Sequence, residues 1–168
     1  MPFAPFHVGP GAAVKAVMPR HFSFTVFCFA QIVTDFETAY YMVRGEYPLH
    51  RWLHTYLGGS IVAVVCVLVG RPHCQLALRV WNRWRNAPFK RYFPSTTHIS
   101  VTSATMGAFI GTYSHVFLDS IMHADVEPFN PFGTQNPLYR IISLVTLHAL
   151  CIVLGVLGIL YVSAHSQK

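Results

Sequence analysis

The stretch Gly111–Phe132, GTYSHVFLDSIMHADVEPFNPF, decides how the rest of this chain is read. It begins inside an apolar run of helical character and ends in a loop carrying Pro128 and Pro131. His115 and Asp119 stand at its centre, four residues apart. On a helix that spacing puts both side chains on one face, within reach of a single bound ion. The remaining sequence is read as supplying this pair with partners.

Composition sets the class. The chain has 168 residues, 53% of them hydrophobic and only 11% charged, against roughly a quarter charged in soluble domains. Apolar runs long enough to cross a bilayer point to an all-α, polytopic membrane protein with one domain over residues 1–168. Four spans are expected, at about 22–43, 50–69, 97–122 and 138–162. The net charge is +6. Its basic residues cluster between apolar runs, as in cytoplasmic loops, and no nucleic-acid module is visible, so nucleic acid is excluded as a partner. Cys28, Cys66, Cys74 and Cys151 form no CxxC pair, which argues against a disulfide framework or a thiolate metal site. The N-terminus lacks the pattern of a cleaved signal peptide.

Residues 1–20 are MPFAPFHVGPGAAVKAVMPR. Pro10 suits the first turn of a helix running to about Met18. Such a helix is too short to cross a membrane and is expected to be interfacial or one arm of a re-entrant hairpin. Residues 71–94 carry Arg71, Arg79, Arg83, Arg85, Lys90 and Arg91, with Trp81, Trp84 and Tyr92 among them. They read as a cytoplasmic loop with an interfacial amphipathic helix.

That basic loop orients the chain. Span two then runs outside to inside, spans one and three inside to outside, and both termini are cytoplasmic. Counted from the cytoplasmic side, Asp35 lies about 20 Å up span one, His54 about 23 Å up span two and His115 about 27 Å up span three. His50 and His54, four apart, share a face of span two, and with Asp119 they occupy the same outer layer. A turn at Pro19–Arg20 folds the N-terminal arm back beside span one and lifts His7 to the level of Asp35.

Imidazole and carboxylate without thiolate suit zinc or a similar divalent ion. His7, Asp35, His50, His54, His115 and Asp119 suffice for one or two ions, although spacing alone leaves His7 and His50 open. A metal-activated water would act on a phosphoester. Asp35 or Glu37 would orient or deprotonate that water, and Arg51 would hold a phosphate oxygen. Glu37 is two residues from Asp35 and turns largely away from it. It is read as a second ligand, a general base, or a partner for Arg44 or Arg51. A lone transmembrane histidine is more often a helix–helix hydrogen-bond partner, the reading that fits His148. His21, His73, His98 and His165 lie on the cytoplasmic side and read as structural or solvated. His123 and Asp125 are exposed-loop candidates outside the main set.

Several motifs occur in a familiar order: His7 near the N-terminus, Asp35-Phe36-Glu37, His50-Arg51-Trp52-Leu53-His54-Thr55, and Ser114-His115-Val116-Phe117-Leu118-Asp119-Ser120. In this order, and in its opening MPFAPFHVGPG and closing PFNPF, the chain resembles the YdjM-like predicted membrane-bound metal-dependent hydrolases. That family looks distantly similar to zinc-dependent phospholipase C and the P1-type nucleases. The resemblance implies a ligand role for His7 and the hydrolysis of phosphoesters. The chain departs from the family pattern at Glu37, where a second Asp is common.

The function expected from the sequence is therefore a membrane-bound hydrolase of the bacterial inner (plasma) membrane. Its partners are the lipid bilayer and a lipid or lipid-linked phosphoester. Two rivals remain: a transporter or proton-pathway protein built on the same His/Asp cluster, and a haem-binding bundle, which the several carboxylates disfavour.

Overall fold

The structure is a computed structural model and describes residues 5–84 and 96–165. Every regular element among the described residues is helical: α1 (Val8–Val17), α2 (Phe24–Arg44), α3 (Tyr56–Trp84), α4 (Val101–Met122) and α5 (Leu144–His165). Single 3-10 turns at Pro5–His7 and Trp52–His54 lead into α1 and α3.

Local chemistry sets the boundaries. Ser23, Thr55 and Ser100 each cap a helix, their hydroxyls accepting the N–H of Val26, Gly58 and Ser103. These bonds satisfy N–H groups that have no partner within the helix. Helix α2 stops at Gly45, whose φ of 66° is the left-handed conformation that favours glycine. Helix α3 bulges through a π turn at Cys66–Gly70 and continues to Trp84.

Helix α4 is central. Residues 107 and 111 of α4 face residues 23–30 of α2, and the numbering rises together, so the two run parallel. Helix α3 runs the other way: Gly59 lies against Thr112 and Val116 of α4, and Arg71 Nε donates to the Ile99 carbonyl. One apolar cluster, including Val26, Ala30, Val62, Ala63, Ala104 and Ala108, joins these three helices. A second, of Leu118, Ile121, Leu147 and Cys151 with Phe6 against it, joins α4 to α5 and the N-terminus.

Four expectations are corrected here. The second helix starts at Tyr56, not near His50, because Thr55 caps it there; residues 50–55 are loop and 3-10 turn. His50 and His54 therefore do not share a helical face. The last helix starts at Leu144 rather than Leu138. Residues 71–84 are helical, as the amphipathic helix expected in this stretch, but no loop separates them from span two, because they continue α3 directly; Arg85, Lys90, Arg91 and Tyr92 lie outside the described residues. The N-terminal arm packs backbone to backbone along α5 rather than beside α2. A side chain at Gly158 would stand 2.4 Å from the Ala12 carbonyl carbon, and one at Gly9 would strike the Cys151 carbonyl. Only glycine admits that approach, and α2 meets α1 mainly through the Phe27 ring on Gly11.

Two helices, Tyr56–Trp84 and Leu144–His165, are long and apolar enough to cross a membrane. Helices α2 and α4 have similar length, but Gln31, Asp35 and Glu37 on one, and His115, Asp119 and several Ser and Thr on the other, make them more polar.

Candidate metal centre

The site lies where four segments meet. The turn before α1 brings His7, the middle of α2 brings Gln31, Asp35 and Glu37, the turn before α3 brings His54, and the last turns of α4 bring His115 and Asp119. Asp35, His54, His115 and Asp119 are all buried, and their ligand atoms all lie within 4.8 Å of one another.

Asp119 is the hub. Its Oδ2 stands 3.1 Å from His115 Nε2 and 3.4 Å from His54 Nε2. Its Oδ1 stands 3.3 Å from His7 Nε2 and 3.9 Å from His123 Nε2. Asp35 Oδ1 lies 3.4 Å from His115 Nε2. Among the described residues, Nε2 of His7 and Nε2 of His115 are buried and make no hydrogen bond. A buried polar atom left without a hydrogen bond costs roughly 1–3 kcal/mol, and an ion is one of the groups that removes such a penalty.

The other ring nitrogens are occupied. His115 Nδ1 lies 2.5 Å from Gln31 Oε1, and the same amide donates from Nε2 to the Gly111 carbonyl. His54 Nδ1 lies 3.2 Å from Glu37 Oε2, and His50 Nδ1 lies 3.0 Å from Asp125 Oδ1. An oxygen facing Nδ1 fixes the tautomer that carries its proton there and leaves the Nε2 lone pair free. Metal-binding histidines are oriented in this way. The donor set of imidazole and carboxylate fits zinc-type ions.

Three residues outside the main set expected from sequence stand beside the cluster. His123 stacks on His50 with ring centroids 4.4 Å apart, and Asp125 accepts from the backbone N–H groups of Leu49 and His50. His50, His123 and Asp125 form a second group within 4.8 Å. The Asp119-to-His123 spacing of four was a usable signal; Asp125, on a loop, offered none. Gln31, four before Asp35 on one face of α2, is an uncharged amide that spacing alone does not mark as part of the site.

Glu37 does not reach the hub. Its Oε2 accepts from the N–H groups of Arg51 and Leu53 as well as facing His54. Arg51 lies over the Tyr41 ring, 3.6 Å from its centroid, with Nε donating to the Pro48 carbonyl and Nη2 3.5 Å from Glu46. His148 packs on the Phe6 ring, with centroids 4.4 Å apart. His73 and His165 face carbonyls of their own helices.

Protonation at the rim follows from burial. It holds His50 below the usual imidazole range, with His54 pushing the same way, so His50 is neutral at pH 7. Burial lowers His123 too. Burial works against the Asp125 charge, yet His50 and two backbone N–H groups pull the carboxyl below its usual range. Neutral imidazoles and an ionised carboxylate are the forms that bind a cation.

A cleft of about 440 Å³ opens beside the cluster, lined by His50, Arg51, Trp52, Asp125, Asn130 and Asn136 among others. The loop after α4 forms its far wall. Asn136 Nδ2 donates to the Ser120 and His123 carbonyls, and the Tyr56 N–H donates to Pro128, tying that loop to α4 and α3. No protein-family model, curated protein or solved structure matches this chain.

Proposed function

We propose that this protein is a membrane-bound, metal-dependent hydrolase of phosphoesters. The observation that carries the reading is the buried cluster of Asp35, His54, His115 and Asp119, with the Nδ1 atoms of both histidines facing oxygens and their Nε2 atoms facing Asp119. Zinc is the expected ion. The phosphoester chemistry rests on the resemblance to the YdjM-like hydrolases.

His54, His115 and Asp119 would hold a divalent ion, with His7 closing the set from the N-terminal arm. Such an ion would supply Lewis-acid chemistry, making a bound water acidic near neutral pH and polarising a phosphoryl oxygen. Asp35 lies beside them and is the candidate general base. Glu37 and Gln31 are positioning residues, because their oxygens serve ring Nδ1 atoms. The Arg51 guanidinium borders the cleft, and its planar fork matches phosphate oxygens.

The same reading places α2 to α5 across the inner membrane with both termini cytoplasmic. In its support, α5 exposes Leu150, Ile152, Val153, Leu157, Ile159 and Leu160. The outward faces of α2 and α4 carry exposed Ile32, Phe36, Tyr113 and Phe117, while their polar residues point at one another. A substrate reaching the cleft from the bilayer would be a lipid or lipid-linked phosphoester.

The first test is elemental analysis of detergent-purified protein. Near-stoichiometric zinc is expected in the wild type and its loss in His115→Ala or Asp119→Ala. Metal-free protein with intact helical content would refute the reading. A phosphoester panel follows: turnover abolished in Asp119→Asn supports hydrolysis, whereas ion flux in liposomes without turnover supports the ion-pathway alternative.

A further inference from the structure

We infer that the substrate carries an aliphatic chain, and that this chain seats in an apolar groove between α3, α4 and the loop after α4, continuous with the cleft beside the metal cluster. The inference rests on the phosphoester reading and concerns the other end of the same molecule.

The groove encloses about 250 Å³ and is lined by Tyr56, Leu57 and Ser60 of α3, Tyr113 of α4, and Phe129 and Phe132 of the loop. Its aromatic walls pack on one another: the Tyr56 ring centroid lies 5.4 Å from that of Tyr113 and 5.6 Å from that of Phe129. The Tyr56 N–H donates to the Pro128 carbonyl and fixes the loop against α3.

The groups best able to bond a polar ligand there are committed within the protein. Ser60 Oγ donates to the Tyr56 carbonyl at 2.7 Å, so its oxygen accepts from the Tyr113 hydroxyl at 2.9 Å. Asn130 Nδ2 donates to Glu127. A hydrocarbon, in contrast, needs only the aromatic faces and Leu57. In a bilayer the chain exchanges lipid contacts for protein contacts, so packing rather than dehydration holds it. Occupancy is then set by the phosphate to which the chain is bonded.

Two observations assign the groove to the substrate's own chain. Cleft and groove meet at Asn130, which lines both, while Thr55 lines the cleft and its neighbour Tyr56 the groove. A phosphate held beside Arg51 therefore brings the chain it carries to the Asn130 rim. The groove also stands at the right height on the right face. Tyr113 precedes His115 by two residues and leaves α4 on the opposite side at nearly the same level. His115 is fully buried, whereas Tyr113 is 40% exposed. Ile61 and Phe117, one turn along the same faces of α3 and α4, are exposed as well and continue the apolar surface.

The test uses the full chain in dodecyl maltoside and a hexadecylphosphonate with a diazirine in mid-chain, a head group that resists hydrolysis. Irradiation is expected to label Leu57, Tyr113, Phe129 and Phe132, mapped by peptide mass spectrometry. The same chain ending in an alcohol, without the charged head group, is expected to label them about tenfold less. Equal labelling by both probes would mean bulk lipid and overturns the inference, as does labelling that avoids these residues. Leu57→Trp, which overfills the groove, is expected to reduce labelling about tenfold, with zinc content and helical circular dichroism unchanged. Undiminished labelling in that variant counts against the groove. Should Leu57→Trp fold poorly, Phe132→Glu, at a side chain 89% exposed, is expected to reduce labelling by placing a charge at the mouth; no reduction again counts against it. Head-group-dependent labelling without turnover of any phosphoester would sink the hydrolase reading and keep the groove as the seat of a lipid phosphate. Turnover with labelling indifferent to the head group would sink the groove and keep the hydrolase.

Discussion

At the scale of residues, the centre depends on what stands behind each imidazole. Gln31 spends its amide on His115 and on the Gly111 carbonyl. Gln31→Ala is expected to leave the helices folded and to weaken metal binding about 10–100-fold, as removal of an orienting partner does elsewhere; competition with a chromogenic chelator would measure it. Unchanged affinity would mean that His115 is oriented by packing alone. His115 and Asp119 were legible in sequence because four-residue spacing is a local property of a helix. Gln31 was not, because an amide carries no charge to betray its burial in an apolar run. Thr55 tests a different local feature. Its hydroxyl caps α3 and also donates to the Trp52 carbonyl, so it holds the turn that presents His54. Thr55→Ala is expected to cost about 1 kcal/mol, read as a lower thermal midpoint in detergent.

At the scale of elements, the short N-terminal helix is the piece that sequence located in outline but not in its packing. Its brevity and the turn before α2 followed from composition. Its neighbour did not, because Gly9, Gly155 and Gly158 are meaningful only as facing surfaces, and they lie nearly 150 positions apart along the chain. Gly158→Leu is expected to force α1 off α5, carrying His7 away from Asp119. Metal content should fall although residue 158 touches no ligand. Helical circular dichroism should stay unchanged in that variant. Full retention of metal in Gly158→Leu would show that the close approach is dispensable.

At the scale of the whole molecule, the polar and apolar surfaces are sorted inside out. Helix α4 buries Ser103, Thr112, His115, Asp119 and Ser120, whereas α5 turns Leu, Ile and Val outward. In water this would be a poor arrangement; in lipid it is the favourable one. Leu154→Arg on exposed α5 is expected to cost about 2.5–3.5 kcal/mol of membrane insertion, read as a loss of carbonate-resistant membrane fraction. An unaffected membrane fraction would argue that α5 does not span. Helix α3, at 29 residues, is roughly 43 Å long, longer than the about 30 Å hydrocarbon core of a bilayer, so a crossing by α3 would leave its basic end with Arg79 and Arg83 outside the core.

Sequence by itself determined the helical class, the local pairing of His115 with Asp119, and the set of ionisable residues that burial would make costly. Each of these follows from composition or from a repeat of a few residues. Only the tertiary structure decided that His54 sits on a 3-10 turn rather than a helix, that α1 lies on α5, and that Gln31, Glu37 and Asp125 stand behind three different imidazoles. Those are contacts between segments far apart in the chain. Their existence depends on how helices pack and on where a capping hydroxyl starts them, and no local periodicity records either.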